Sequence, residues 1–313
     1  ISSATLTNAT HPVVSGAAEA GATVTVTLGG ATYTTVATGG VWSVDTSSAT
    51  PTSGTLALNA NGANTVSASA RDAAGNTTST SQSLVVDTTA PVVTIGAIAV
   101  DDVLNAVEHG TGLVISGTTT AENGQVVTAV LNGHSYTGVA NGGVWSVAVG
   151  ASDVAALTNG TNYTVSAGVT DAAGNAATQA TRSIGVDTAA PAVAITSAAL
   201  GNASAPVVSG TAEAGASVSV TVAGATYSTV ATGGVWSVNT ASATPVSGTL
   251  SLNLNGSNAV SAVATDAAGN TASASQSLVI DTTNPSVSIS SATLTNATHP
   301  VVSGAAEAGA TVT

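Results

Sequence analysis

The sequence predicts an all-β chain built from tandem β-sandwich domains. Three observations lead to this prediction: a set of motifs recurs at a domain-sized period, short alternating strands fill each period, and no stretch shows helical periodicity. The composition agrees, because Val, Ala, Thr, Ser and Gly dominate while Cys, Met and Phe are absent. β-Branched residues favour strands, and Gly and Asn favour the turns between them.

The motifs DAAGN and DTxxP recur three times and set the period. The DTxxP aspartates are 100 and then 94 residues apart, at Asp87, Asp187 and Asp281. Residues 289–313 repeat residues 1–25 letter for letter. We therefore expect a fragment of a longer tandem protein, with repeat 1 at 1–90, a longer repeat 2 at 91–190, repeat 3 at 191–284 and the start of a fourth at 285–313. Units of this length can each bury one modest core.

The first repeat shows the strand pattern in detail. Strict alternation over Thr23–Leu28 predicts a half-buried antiparallel strand. Further strands are predicted at 13–16, 31–36, 41–44, 66–70 and 77–86, with turns at Gly29-Gly30, Gly39-Gly40, Asn61-Gly62 and DAAGN. About seven short strands with this turn spacing are typical of an immunoglobulin-like sandwich, here without its disulfide. The single tryptophan of each repeat is then expected in the core, with sugar stacking as the minor alternative.

Charge and composition exclude several functions. Fifteen acidic residues against two basic ones give a net charge of −13, so the chain lacks the basic surface that nucleic acid or an anionic membrane would need. No apolar run approaches the roughly 18 residues that span a bilayer, so no membrane insertion is expected. The histidines are isolated, and no His–carboxylate–Ser set recurs from repeat to repeat. We expect no enzyme.

The acidic residues lie in turns and at repeat ends. Antiparallel topology predicts that the loop carrying Glu19 and the turn at Asp72 lie at one pole of repeat 1, with its C-terminus at the other. End-to-end stacking then brings Asp87 toward Glu122 and Asp171 of repeat 2. The same reasoning groups the acidic residues of the next junctions: Asp187 with Glu213 and Asp266, and Asp281 with Glu307.

The link that opens repeat 2 is longer and more acidic than its counterparts. The segment from the DTxxP aspartate to the Ser-Gly strand is seven residues longer than in repeat 3. We expect this link at the C-terminal pole of repeat 2, beside Asp187, where it adds Asp101, Asp102 and Glu108. The short link of repeat 1 carries the neutral Asn8 instead.

These carboxylate groups predict a cation site. With almost no Lys or Arg available, three or more converging carboxylates either stay apart in solvent or are held by a cation. Oxygen donors suit Ca²⁺, which takes 6–8 of them, better than Mg²⁺ with its tighter octahedral geometry. The simpler alternative is that each DAAGN aspartate only supports its own turn and Glu19 only solubilises a loop.

The motifs also resemble a known family. GAAEAGATVTVT, GGVWSV, TDAAGN and VDTTAP are similar to the bacterial immunoglobulin-like repeats of giant Gram-negative adhesins, which are exported by type I secretion and held at the cell surface. DDVLNAVE, at 101–108, resembles the opening of one subtype. The resemblance implies Ca²⁺ at or near the junctions of neighbouring repeats, with the acidic residues above as its ligands.

Two functions follow as hypotheses. In the first, the chain is a monomeric, Ca²⁺-stiffened rod of sandwich domains arranged end to end, which projects a distal domain outside this fragment toward a target cell or surface in adhesion or biofilm formation. In the second, the repeats themselves bind a carbohydrate, a host cell or ice through threonine ladders such as Thr23, Thr25 and Thr27.

Overall fold

The computed structural model describes residues 1–313 and is built almost entirely from β-strands. The chain divides into two compact units, Ile1–Asp187 and Thr188–Thr313. The first unit begins with the strands of repeat 1: β1 (Leu6–Thr7), β2 (Val13–Ala17), β3 (Thr23–Leu28), β4 (Ala31–Val36), β5 (Val41–Asp45), β6 (Asn61–Arg71) and β7 (Thr77–Asp87).

Repeat 1 is a sandwich of two sheets. The larger sheet has the order β1-β7-β6-β3-β4, and the smaller one pairs β2 with β5. The alternation of β3 places Val24, Val26 and Leu28 in the core and its threonines in solvent. The register sets Val26 opposite Ala68 of β6 and opposite Tyr33 of β4, so both neighbouring strands point into the same core. The all-β sandwich prediction is confirmed.

Repeat 2 completes the first unit with the same architecture and two additions. Its elements are β8 (Val103–Leu104), α1 (Ala106–His109), β9 (Leu113–Thr118), β10 (Val126–Leu131), β11 (His134–Val139), β12 (Val144–Val149), α2 (Ala151–Ala155), β13 (Asn162–Val169) and β14 (Ala180–Val186). The sheets are β11-β10-β13-β14-β8 and β12-β9. The expectation of no helix was therefore wrong for two single-turn segments, which are too short to show helical periodicity.

The second unit contains repeat 3 and the start of the fourth. Its strands are β15 (Val193–Ile195), β16 (Leu200–Gly201), β17 (Val207–Ala212), β18 (Ser217–Val222), β19 (Ala225–Val230), β20 (Val235–Asn239), β21 (Asn255–Thr265), β22 (Thr271–Asp281), β23 (Val287–Ile289) and β24 (Gly304–Ala306). Repeat 3 forms the sheets β16-β22-β21-β18-β19 and β15-β17-β20, and β23 pairs with β24. Three hydrophobic cores result, and each draws its residues from one predicted repeat. The boundaries between repeats stay a prediction.

The tryptophans are core residues, as predicted. Trp42, Trp145 and Trp236 are 5%, 2% and 3% exposed. Trp145 donates its indole N–H to the carbonyl of Thr94 at 3.1 Å. A Cβ on Gly117 would clash with both of these groups, so this position in β9 requires glycine.

The predicted Asn61-Gly62 turn was wrong, because both residues lie in β6, where Asn61 pairs with Asp87. The turn comes earlier and is held by a buried amide. The Asn64 side chain accepts from the Asn59 N–H at 2.8 Å and donates to the Asn59 carbonyl at 3.0 Å. The Asn61-Gly62 dipeptide therefore begins β6, and the Asn64 side chain closes the loop that precedes this strand.

Candidate site at the junction of the first two repeats

Each DAAGN turn is closed by its own aspartate and asparagine. In repeat 1, Asp72 accepts from the backbone N–H of Asn76 at 2.8 Å and from its side-chain amide at 2.7 Å. Gly75 takes the left-handed conformation with φ 90° that lets the chain reverse. Hydrogen bonds from Asn76 lower the pKa of Asp72 below its usual value. This local role is the one that the simpler alternative predicted.

In repeat 2 the same turn reaches a second repeat. The Asn175 side-chain amide donates to Asp171 Oδ2 at 2.9 Å and also to the main-chain carbonyl of Asp87 at 2.8 Å. Asp87 is the last residue of β7, so this hydrogen bond joins the end of repeat 1 to the turn of repeat 2. Nothing in the DAAGN motif itself indicated this contact, because its acceptor belongs to the preceding repeat.

Glu122 lies against the same turn. Its Oε2 accepts from the N–H of Ala172, the residue after Asp171, at 3.0 Å. Asp171 is 7% exposed, which is unusual for an aspartate. Burial raises the pKa of Asp171. Hydrogen bonds from the side chain and backbone of Asn175 lower it by a larger amount, so the pKa of Asp171 is below the usual value of an aspartate. The carboxylate therefore stays ionised at this junction.

The turn from Asp171 to Asn175 contacts the main chain of Asp87 and the side chain of Glu122, so the three candidate ligand residues border one turn. The Asp87 carboxylate accepts from the N–H of Thr89 at 2.9 Å, just where the chain leaves repeat 1. However, no group of three or more His, Cys, Asp or Glu side chains within residues 1–313 has an arrangement that could hold a metal ion. The ligand assignment therefore stays a prediction.

The opposite pole of repeat 1 also follows the predicted topology. Glu19 and Asp72 line one pocket of about 200 Å³, together with Asn76 and the small residues around Ala17. The loop carrying Glu19 and the DAAGN turn thus lie at the same pole. Whether Glu19 and Asp72 bind a metal stays a prediction.

The acidic link of repeat 2 lies beside Asp187, as predicted. The Asp187 N–H donates to the carbonyl of Leu104 at 3.0 Å, because β8 runs parallel to the end of β14. The Asp101 Oδ1 accepts from the N–H of Val103 at 3.1 Å, a turn contact. Glu108 forms a capping box with Asn105, since each side chain accepts from the backbone of the other at 3.0–3.1 Å.

Asp102 forms an ion pair with Arg182, which no sequence pattern indicated. Both of its oxygens accept from the Arg182 guanidinium at 2.6 Å. The hydrogen bonds from Arg182 lower the pKa of Asp102, and the same pairing raises that of Arg182. The Arg182 guanidinium neutralises this carboxylate and would repel a second cation beside it, so Asp102 is a poor candidate for a metal ligand. Arg182 lies 80 residues away in sequence, so no local pattern pointed to it.

The acidic residues of the second unit make contacts within that unit. Asp266 closes its DAAGN turn with Asn270, and the Glu213 N–H donates to the carbonyl of Ala192 at 3.1 Å. Asp281 accepts from the N–H of Thr283 at 2.9 Å, and the Glu307 N–H donates to the carbonyl of Ser286 at 3.2 Å. Their roles as metal ligands, like that of Asp187, stay a prediction.

Comparisons with known proteins agree with the fold. A bacterial Ig-like domain family matches residues 1–88, and a bacterial Ig-like domain of group 3 matches residues 55–140. Neither is a catalytic family. No curated protein matches the chain. No helix in the structure is long and apolar enough to serve as a transmembrane span.

Three solved structures of adhesins are similar to this chain. A Ca²⁺-stabilised adhesin that helps an Antarctic bacterium reach out and bind ice is 33% identical, over 90% of this chain and 72% of that one, with a TM-score of 0.42. A 1.5-MDa bacterial ice-binding adhesin, studied for host cell surface retention, is 28% identical over 87% and 91% of the two chains, with a TM-score of 0.40.

The third is a bacterial immunoglobulin-like domain from the M. primoryensis ice-binding adhesin, 40% identical over 32% of this chain and 99% of that one, with a TM-score of 0.26. The sequence identities and the two family matches carry the assignment. The chain belongs to the bacterial immunoglobulin-like domain family, as part of the repeat region of a large adhesin.

Proposed function

We propose that this chain is an extender in which Ca²⁺ stiffens the junctions between repeats, so that the adhesin holds a distal binding domain away from the bacterial surface. The observation that carries the proposal is that one turn of repeat 2, from Asp171 to Asn175, contacts both the Glu122 side chain and the main chain of Asp87 at the end of repeat 1. Family membership supports it, since a 33% identical relative is described as a Ca²⁺-stabilised adhesin.

The donor types at this junction suit a hard divalent cation, although the three side chains would have to move closer together to share one ion. Each carboxylate oxygen that accepts a hydrogen bond keeps a second lone pair for a metal. The two arginines of the chain lie elsewhere, because Arg182 pairs with Asp102 and Arg71 lies beside Gly75 in the DAAGN turn of repeat 1. When bound, Ca²⁺ would neutralise Asp87, Glu122 and Asp171, with carbonyls and water completing its coordination.

The remaining acidic residues extend the proposal to the other junctions. Asp187, Glu213 and Asp266 would serve the second junction with Asp101 and Glu108 beside it, and Asp281 would serve the third with Glu307. Glu19 and Asp72 would serve a preceding repeat in a longer chain. Secretion to the outer cell surface, export by type I secretion and a role in adhesion or biofilm formation belong to the same proposal.

Calorimetric titration of the full chain with Ca²⁺ tests the proposal. We expect heat of binding with a defined number of ions per chain, and a higher melting temperature in Ca²⁺ than in chelator, because a ligand that binds only the folded state stabilises it. The double variant Glu122→Gln/Asp171→Asn should lose at least one of these sites.

Asp153→Asn is the matched control. It removes one charge from repeat 2 but can still accept the Tyr136 hydroxyl, which bonds Asp153 Oδ2 at 2.7 Å. Its stoichiometry should equal that of the parent chain. A parent chain that binds no Ca²⁺, or a double variant with unchanged stoichiometry and affinity, would contradict the proposal.

A second candidate function, direct ligand binding, has one observation in its favour. The exposed face of repeat 1 carries two uninterrupted cross-strand rows of hydroxyl side chains: Ser79-Ser69-Thr25-Thr34 and Ser81-Ser67-Thr27-Thr32. Neighbouring strands hold such rows roughly 4.8 Å apart. In repeat 3 the exposed Val263 interrupts the corresponding row. Glycan-array or ice-affinity binding that Thr25→Val/Thr27→Val abolishes would favour this candidate, whereas the extender function predicts no binding.

A further inference from the structure

We propose that the asparagine of the DAAGN turn is a direct docking contact between consecutive repeats, which holds them in register without a cation. The contact seen in the structure is the hydrogen bond from the Asn175 amide to the main-chain carbonyl of Asp87, at 2.8 Å. Both groups are neutral, so this contact forms whether or not Ca²⁺ binds nearby. The inference therefore stands apart from the proposed calcium function.

The turn orients the amide for this contact. The Asn175 backbone N–H donates to Asp171 Oδ1 at 2.7 Å, and one hydrogen of its side-chain amide goes to Asp171 Oδ2 at 2.9 Å. These two bonds fix the side chain and direct its second amide hydrogen to Asp87. An amide that is already held in position loses little conformational entropy when it meets its acceptor.

The same oriented amide exists in repeat 1, where no repeat meets it within this chain. Asn76 makes the two equivalent bonds to Asp72, at 2.8 and 2.7 Å, and no bond to another repeat. Asn76 is exposed, whereas Asn175 is half-buried. The docking geometry is thus built into the turn itself and does not depend on the partner being present.

The acceptor and its surroundings fit a general docking rule. Every repeat that ends in the DTxxP motif has this main-chain carbonyl, whatever the neighbouring side chains are. Close packing is also visible at Gly174, where a Cβ would lie 3.3 Å from the Asn8 amide nitrogen of repeat 1. The partner that this surface fits is therefore the C-terminal pole of another copy of the same repeat.

Distance measurements between repeats 1 and 2 test the inference in the full chain. The chain has no cysteine, so spin labels can be placed through Thr34→Cys and Ser135→Cys, two exposed positions on these repeats. Pulsed electron paramagnetic resonance in excess chelator then reports the distribution of distances. The parent should give a defined docked population without Ca²⁺.

Asn175→Ala should raise the ratio of undocked to docked molecules roughly five-fold, as expected for loss of one neutral hydrogen bond. Asn76→Ala is the matched control, because it removes the same bonds within a DAAGN turn but no contact between repeats. It should reproduce the parent distribution. Equal distributions for Asn175→Ala and Asn76→Ala would overturn the inference, as would a parent chain without a docked population in chelator.

Adding Ca²⁺ to the labelled parent separates this inference from the proposed function. Narrowing of the distribution by Ca²⁺ is the result that the calcium-stiffened extender predicts. If Ca²⁺ does not narrow the distance distribution, the extender proposal is contradicted. The difference between Asn175→Ala and Asn76→Ala in chelator would still test the docking contact.

Discussion

At the residue scale, Asp171 combines the roles that the sequence left as alternatives. Its two oxygens close the turn by accepting from Asn175, and its position beside Glu122 makes it a candidate ligand. The closure orients the carboxylate and keeps its pKa low. Supporting the turn and binding a cation are therefore compatible roles for Asp171, because the hydrogen bonds of the turn keep its carboxylate ionised beside Glu122.

The Asp102–Arg182 pair gives a prediction about repeat 2. Arg182→Gln should lower the free energy of unfolding of repeat 2 by a small but measurable amount, because it removes a bidentate ion pair whose side chains are 33% and 29% exposed. Hydrogen exchange resolved by repeat measures this change. Arg71→Gln is the control, since Arg71 forms no ion pair in the structure. Equal exchange in both variants would contradict the prediction.

The pH dependence of this pair has a definite sign. Asp102 has a lowered pKa in the folded state, so its contribution to stability is present above the ordinary pKa of an unfolded aspartate and is lost as the pH falls through its lower folded pKa. The difference between the parent and Arg182→Gln should therefore be full at neutral pH and shrink only in strongly acidic solution. A difference that persists unchanged there would rule out the ionised carboxylate as its source.

Residue-scale prediction from the sequence succeeded where a local rule sufficed. The buried tryptophans and the closed DAAGN turns follow from flanking valines and from the chemistry of Asp, Asn and Gly. It failed where the partner was distant, as for Arg182 with Asp102 and Asn175 with the Asp87 carbonyl. The periodicity of a single segment does not indicate contacts between residues that are far apart in the sequence.

At the scale of elements, the acidic link of repeat 2 forms a short ordered structure beside β14. Strand β8 pairs with the end of β14, and the helix α1 follows directly after Asn105. The side chain of Asn105 accepts from the N–H groups of Val107 and Glu108 at 3.0 Å. The extra residues of this link therefore add a capped helical turn at the pole where Asp187 lies.

This cap gives a prediction for the element. Asn105→Ala should destabilise the link by about 1 kcal/mol, because two helix N–H groups lose their acceptor. Hydrogen exchange at Val107 and Glu108 measures the effect. Asn202→Ala is the control, since Asn202 follows the equivalent strand β16 of repeat 3, where no helix forms. If exchange at the link stays unchanged, the capping box does not stabilise it.

The elements were predictable to different degrees. Alternation gave β3 and β4 with their observed bounds, because one face of each strand is buried. The helix α1 was missed although Asn105 and Glu108 have capping-box spacing, since four residues carry no periodic signal. The start of β6 was misplaced because a buried side chain, Asn64, closes the loop before it.

At the scale of the molecule, the repeat pattern underlies both the family assignment and the proposed function. Each complete repeat carries a DAAGN turn and a DTxxP aspartate, so the proposed junction chemistry would recur along the chain. The net charge of −13 and the absence of lysine also oppose association of neighbouring chains. The family assignment was predictable from the motifs, whereas the ligand set was not, because it depends on how side chains from two repeats meet.

The central claim is that Ca²⁺ bound at the junctions between repeats makes the chain a stiff extender. Small-angle scattering of the full chain in Ca²⁺ and in excess chelator tests it most directly. The account predicts a larger and better-defined maximum dimension in Ca²⁺, on the order of 100 Å for three repeats in line, and a shorter, broader distribution in chelator. An unchanged maximum dimension and distribution in chelator would contradict it.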